Sequence, residues 1–128
     1  MTDPTAIRRA PLGTLALARS GDKGAHANIG VWVRRADAYE FLRSALDAER
    51  VAAWFGLDPA AVDRYELANL RALNFVLRGA LGPGGGAASL RTDAQAKAYG
   101  PALLRMPLDL PVALLDDGAR PPFSKEHR

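Results

Sequence analysis

Strand-like and helix-like stretches alternate along these 128 residues, and the mixture predicts an α+β domain. Apolar side chains recur at every second position over residues 29–33, 62–67 and 108–114. They recur at spacings of three and four in Phe41, Leu42, Ala45 and Leu46, and again in Leu70, Leu73, Val76, Leu77, Ala80 and Leu81. The length suits one domain, and the 48% apolar fraction can fill its core without metal or disulfide staples.

Residues 1–11 are polar, end at Pro11 and read as an N-terminal arm. The single domain is expected over 12–115, followed by a polar tail over 116–128. Residues 12–18 are apolar enough for a strand. Residues 29–33 make a better one, with Ile29, Val31 and Val33 alternating with Gly30 and Trp32. The stretch 19–28 between them reads as a connecting loop, long for a hairpin, whose loops usually hold about two to five residues. Asp37 with Glu40 three positions on forms a capping-box pattern that starts a helix. Asp47 caps a second, short helix that Gly56 stops, and Asp58-Pro59 marks a turn. In 62–67 the Tyr65/Leu67 side is expected to face inward. A helix is expected over 70–81, ended by the glycine run at 82–86. A short strand at 87–92, a helix over 93–105 broken near Gly100-Pro101, and an edge strand over 108–114 complete the order. Trp32, Trp54, Phe41, Phe55 and Phe75 are expected in the core.

Several functions fall away on composition. There is no cysteine, so disulfides, thiolate zinc sites and cysteine nucleophiles are excluded. Two histidines, His26 and His127, are too few for a His-rich metal centre, and no metal or cofactor is expected. Seventeen cations against 14 anions leave +3, and the pairs Arg8-Arg9 and Arg34-Arg35 are interleaved with acids rather than forming a stripe. A nucleic-acid partner is therefore not expected. The N-terminus lacks an apolar signal core, and no run approaches the roughly 18 apolar residues of a membrane span. A soluble, cytoplasmic protein without membrane contact is the simplest expectation. Heavy Ala and Arg usage suggests a GC-rich bacterial gene.

Chemistry-bearing side chains gather in one stretch, Arg19-Ser20-Gly21-Asp22-Lys23-Gly24 followed by Ala25-His26-Ala27-Asn28-Ile29-Gly30. Backbone N–H groups near Gly21 and Gly24, with the Lys23 ammonium, suit an anion such as a carboxylate or phosphate. Ser20, Asp22 or His26 would orient it or move a proton. The alternative is a plain Asx-type turn with Lys23 solvated. The spacing is not that of a phosphate-binding P-loop. Ser20, Asp22 and His26 lie too close in sequence for triad geometry, and no oxyanion-hole motif accompanies them. Asn69 and Asn74 sit among apolar residues, so each must bond backbone or a ligand. Asp93, Gln95 and Lys97 either meet the first stretch, pairing Asp93 with Lys23, or form a capped and solvated helix end. The glycine run either approaches a phosphate closely or simply stops a helix.

These residues resemble a known family. Ser20-Gly21-Asp22-Lys23-Gly24 with Asn28-Ile29-Gly30-Val31 is similar to the signature of the AtuA-like, ferredoxin-fold domain. Tyr65-Glu66-Leu67 with Asn69-Leu70, then Ala72-Leu73-Asn74-Phe75-Val76-Leu77, resemble its middle block. Gly79-Ala80-Leu81-Gly82 and Ser89-Leu90-Arg91, leading into Asp93-Ala94-Gln95-Ala96-Lys97, resemble its third. The likeness spans about residues 12–106. Ala96 stands where the family pattern has glycine and Ala68 where it has proline, while Pro83 interrupts the glycine run. Ala96 disfavours a positive φ, so a helical turn is expected before Lys97.

The resemblance implies a ferredoxin-like α+β sandwich, a mostly antiparallel sheet with helices packed on one face. It also implies a place in acyclic terpenoid and acyl-CoA catabolism, where this domain forms the C-terminal part of larger proteins and also occurs alone. A separately encoded partner equivalent to the larger N-terminal domain is thus expected. The leading expectation is an accessory module that binds an anionic small molecule, of acyl-CoA type, or a partner, near residues 20–28, and forms homo-oligomers. The ligand contacts would be Ser20, Gly21, Gly24, Asn28, Asn69, Asn74, Asp93, Gln95 and Lys97. The alternative is a small cofactor-independent enzyme on acyl-type substrates, with Lys23 holding the anion and Asp22 or His26 as acid/base.

Overall fold

The computed structural model describes residues 5–81 and 90–115, with the side chains of 90–93 left undescribed. Among these residues six strands and three α-helices follow one another: β1 (Ile7–Pro11), β2 (Leu17–Lys23), β3 (His26–Trp32), α1 (Ala36–Ala45), α2 (Ala48–Phe55), β4 (Val62–Leu67), β5 (Ala72–Leu77), α3 (Leu90–Leu104) and β6 (Pro107–Pro111). β2, β3, β5 and β4 form a four-stranded antiparallel sheet in that order, while β1 and β6 pair as a separate two-stranded ribbon. β3 and β4 run the same way with β5 between them, so β3, the two helices and β4 make a split βαβ unit. This is the ferredoxin-like α+β arrangement.

Helices cover one face of the sheet. That face carries Ala27, Ile29 and Val31 of β3, Leu73, Phe75 and Leu77 of β5, and Val62 of β4, all buried. Leu42, Leu46, Val51, Ala52 and Leu103 close over it from the helices, and Leu12, Met106, Leu108 and Leu110 seal the ribbon side. Asp47 caps α2, accepting from the Arg50 N–H at 2.7 Å, and Gly56 ends it at φ 70°. Asp58 opens the next turn by accepting from the Ala60 N–H at 2.9 Å.

Several expectations are corrected. Residues 7–11 are not arm but strand, because β6 supplies the backbone partners. Residues 12–14 form a 3-10 turn, and strand begins only at Leu17. α1 has no side-chain cap. Asp37 pairs instead with Arg35 and Glu40 with Arg43.

The largest difference lies at 70–81, expected helical and in fact strand β5 from Ala72. Leu73 and Leu77 fit both periods, but the buried Phe75 fits only the period of two. Arg71, at φ 52°, turns the chain from β4 into it. β4 is also reversed from expectation: Tyr65 and Leu67 face outward, and Val62, Arg64 and Glu66 face the helices. Arg64 is tolerated there because its guanidinium donates to the carbonyls of Leu46 (3.0 Å) and Arg43, at the end of α1.

Trp54 is 40% exposed rather than core, with its indole N–H on the Ala102 carbonyl at 2.9 Å. Of the two expectations at 87–105, the helix holds, starts earlier, at Leu90, and runs unbroken through Pro101 to Leu104. The strand expected over 108–114 ends at Pro111 and gives way to a 3-10 turn over Val112–Leu115. Residues 87–89, the glycine run 82–86 and the tail 116–128 lie outside the described residues.

Candidate sheet-face site

The stretch expected to be a long loop is a tight hairpin. β2 runs to Lys23, β3 starts at His26, and only Gly24-Ala25 connect them. Gly24 sits at φ 64° while Ala25 is not among the positive-φ residues, the requirement of a two-residue turn with glycine first. Period-two alternation then sorts the polar residues to opposite faces. Ser20 and Asp22 face the helices, while Arg19, Gly21, Lys23, His26, Asn28 and Gly30 face outward.

On the helix face Ser20 does structural work. Its hydroxyl donates to the Ala96 carbonyl at 2.7 Å and accepts from the Gly100 N–H at 2.7 Å. Residues 96 and 100 are i and i+4 of α3, so the hydroxyl is spliced into the helix's own ladder one step before Pro101. The fit is close: a Cβ on Gly100 would meet Ser20 Oγ at 3.2 Å and the Ser20 backbone nitrogen at 3.3 Å. Ala96 is buried and helical, as its departure from glycine implied.

The outward face is built in rows across the strands. Leu17, Trp32, Ala72 and Leu67 lie side by side and make one apolar row, with Leu70 exposed beside it on the β4–β5 turn. The next row is Arg19, Gly30, Asn74 and Tyr65, and the third is Gly21, Asn28, Val76 and Asp63. Lys23 and His26 stand at the hairpin end.

At the centre the Asn74 amide N–H donates to Asn28 Oδ1 at 2.8 Å, a sheet-spanning pair that is half-buried. Asn28 Nδ2 and Asn74 Oδ1 meet no partner among the described residues. Gly21 and Gly30 leave the floor beside this pair without side chains. A Cβ on Gly21 would meet nothing within 4 Å, and one on Gly30 only Asn74 Oδ1 at 3.8 Å and the Arg19 carbonyl at 3.9 Å. Glycine inside a strand marks a place where another group comes close to backbone. Neither Arg19 nor Lys23 forms an ion pair among the described residues. His26 Nδ1 accepts from the Gly79 N–H at 2.8 Å, leaving the ring hydrogen on Nε2.

The expected site residues therefore divide. Gly21, Lys23, His26, Asn28 and Asn74 share the outward face, and Gly24 sits at its rim. Ser20 and Asp22 lie on the other side, where α3 brings Gln95 and Lys97, both exposed, and carries Asp93 in its backbone. Asn69 is exposed in a 3-10 turn beside the apolar row, apart from Asn74. Arg19, Trp32, Tyr65 and Leu67 share this outward face although the sequence had not placed them there. Reading 19–28 as two strands, with alternation continued through Lys23, places Arg19 on the Lys23 side.

Among the described residues no His, Asp and Glu cluster could hold a metal, and no helix is long and apolar enough to cross a membrane. No match was found among curated proteins or among solved structures. A family model, the AtuA ferredoxin-like domain, matches residues 10–109, from β1 into β6. With the split βαβ unit, the one-sided helical cover and the Ser-Gly-Asp-Lys-Gly hairpin all inside that span, the chain belongs to the AtuA ferredoxin-like domain family.

Proposed function

We propose that the protein is a binding module, accessory to acyclic terpenoid and acyl-CoA catabolism, that takes an amphipathic acyl-type anion on the outward sheet face, which no helix covers among the described residues. The observation that carries this reading is the Asn28–Asn74 pair, which offers a spare amide donor and acceptor at the middle of that face. An anionic head would lie between the spare Asn28 N–H and the Lys23 ammonium, over the glycine floor. The apolar body would run toward Trp32, Leu67 and Leu70. Catalysis by Lys23 with Asp22 finds no support, because the two side chains alternate to opposite faces. His26 is better suited to holding the Gly79 backbone than to proton transfer.

Decanoate is a suitable probe, followed by the fluorescence of Trp32 in a Trp54→Phe background. Saturable decanoate binding is expected, weakened roughly tenfold by Lys23→Ala, the effect of losing about 1.4 kcal/mol of charge-assisted bonding. Asn28→Ala with Asn74→Ala should abolish it, and decanol should bind more weakly than decanoate. Binding that is indifferent to all three substitutions contradicts the reading.

A further inference from the structure

The row structure of the outward face carries a second inference, a partner that would compete for this face with the ligand of the proposed function. One complete row, Leu17, Trp32, Ala72 and Leu67, is apolar, and Tyr65, Leu67 and Leu70 are 51%, 38% and 62% exposed. A solvated antiparallel face ordinarily alternates to polar residues instead. Charge on the face is uneven: Arg19 and Lys23, on edge strand β2, have no ion-pair partner among the described residues, whereas Asp63, on the opposite edge strand β4, is already paired with Arg78.

We infer that a second copy of this chain closes this face, sheet against sheet, about a twofold axis lying parallel to the strands. Such an axis keeps each row in place and exchanges the two edges. The apolar row of one protomer then lies over the apolar row of its partner, with β2 above β4 and β3 above β5. Arg19 faces the ring of the partner's Tyr65, a cation over an aromatic face. Lys23 lies near the side of the partner's Asp63, which Arg78 already holds within its own chain. Trp32 lies over the partner's Ala72, and Gly30 over the partner's Asn74, large against small in each case. Aligned sheets stack about 10 Å apart with inner side chains interleaved, which this alternation of bulk allows. The other in-plane twofold, perpendicular to the strands, would stack β2 on β2. It sets the cations against each other and apolar against polar rows.

Four strands of six or seven residues present a face of roughly 20 by 20 Å. At about 400 Å² per protomer that is roughly half of a standard stable interface, so a weak dimer in concentration-dependent exchange is expected rather than a permanent one.

Sedimentation velocity of the full chain over about 1–200 µM tests this. The weight-average mass should rise from one chain toward two without added ligand. Arg19→Glu should keep the chain monomeric across the range, and Arg19→Glu with Tyr65→Arg should restore association, because each substituted residue again faces its complement. Both positions are exposed, and a circular dichroism melt confirms that each variant folds. A wild-type chain that stays monomeric overturns the inference. Association that survives Arg19→Glu, or a double variant that stays monomeric, overturns the proposed axis. A monomer that still binds decanoate removes only the dimer. A wild-type chain that is monomeric at low concentration and binds none there removes only the ligand reading.

Discussion

Ser20 shows how a motif residue with catalytic-looking chemistry can belong to the scaffold. Its hydroxyl hydrogen is committed to the Ala96 carbonyl, and its oxygen takes the Gly100 N–H. Ser20→Ala strands two part-buried backbone groups in α3, which costs about 1–3 kcal/mol. For a domain of this size that lowers the melting temperature by roughly 3–10 °C. The expected outcome is a less stable protein with unchanged decanoate affinity, read by calorimetry and by titration of the same sample. Gly100→Ala should destabilise by a comparable amount, since the added methyl meets Arg19 and Ser20 backbone at 3.3 Å. Lys23 and the two asparagines should behave in the opposite way. Their substitution should alter binding more than melting, because they face outward and support no helix.

At the scale of elements, the β2–β3 hairpin turns a run of polar residues into two separate surfaces. Gly24 holds its turn at φ 64° with open space where a Cβ would go. Gly24→Ala therefore costs only the backbone strain, about 1–2 kcal/mol, visible as a lower melting temperature with the fold retained. The α+β class, the capped α2, the presence of the final helix and the ribbon strand at Leu108 and Leu110 were legible in the sequence. Two of these elements rest on local signals, Asp47 with Gly56 for α2 and the alternation of Leu108 and Leu110 for the strand, whereas the break expected at Pro101 does not occur. β5 was not legible, because Leu73, Val76 and Leu77 satisfy helical spacing. Only pairing with both β3 and β4, a nonlocal fact, makes the strand the better answer. The same limit hid β1, whose exposed Ile7, Arg8 and Arg9 read as an arm until β6 is beside them.

For the candidate site, composition singled out the stretch 19–30 but assigned it the wrong geometry, a loop where there is a hairpin. Asp22 and Lys23 are neighbours in sequence and opposites in the sheet, and no count of polar residues reveals that. Once residues 19–28 are strand, alternation alone groups Lys23 with Asn28, and the β3–β5 register adds Asn74.

Over the whole molecule, one sheet has two working sides. Helices α1, α2 and α3 bury its inner face around Phe75, Ile29 and Leu42 and give the domain its stability. The outer face keeps an apolar row, a glycine floor and an amide pair in place on rigid strands, which suits a site that must hold its geometry. The binding and dimer readings both depend on this division of labour. It is tested most directly by a backbone and side-chain amide chemical-shift map of the isotope-labelled chain titrated with decanoate. The changes should concentrate on Lys23, Asn28, Asn74 and the Trp32 indole, with α1 and α2 unaffected. Changes centred instead on Asp22 and α3, or on the exposed Trp54, would contradict it.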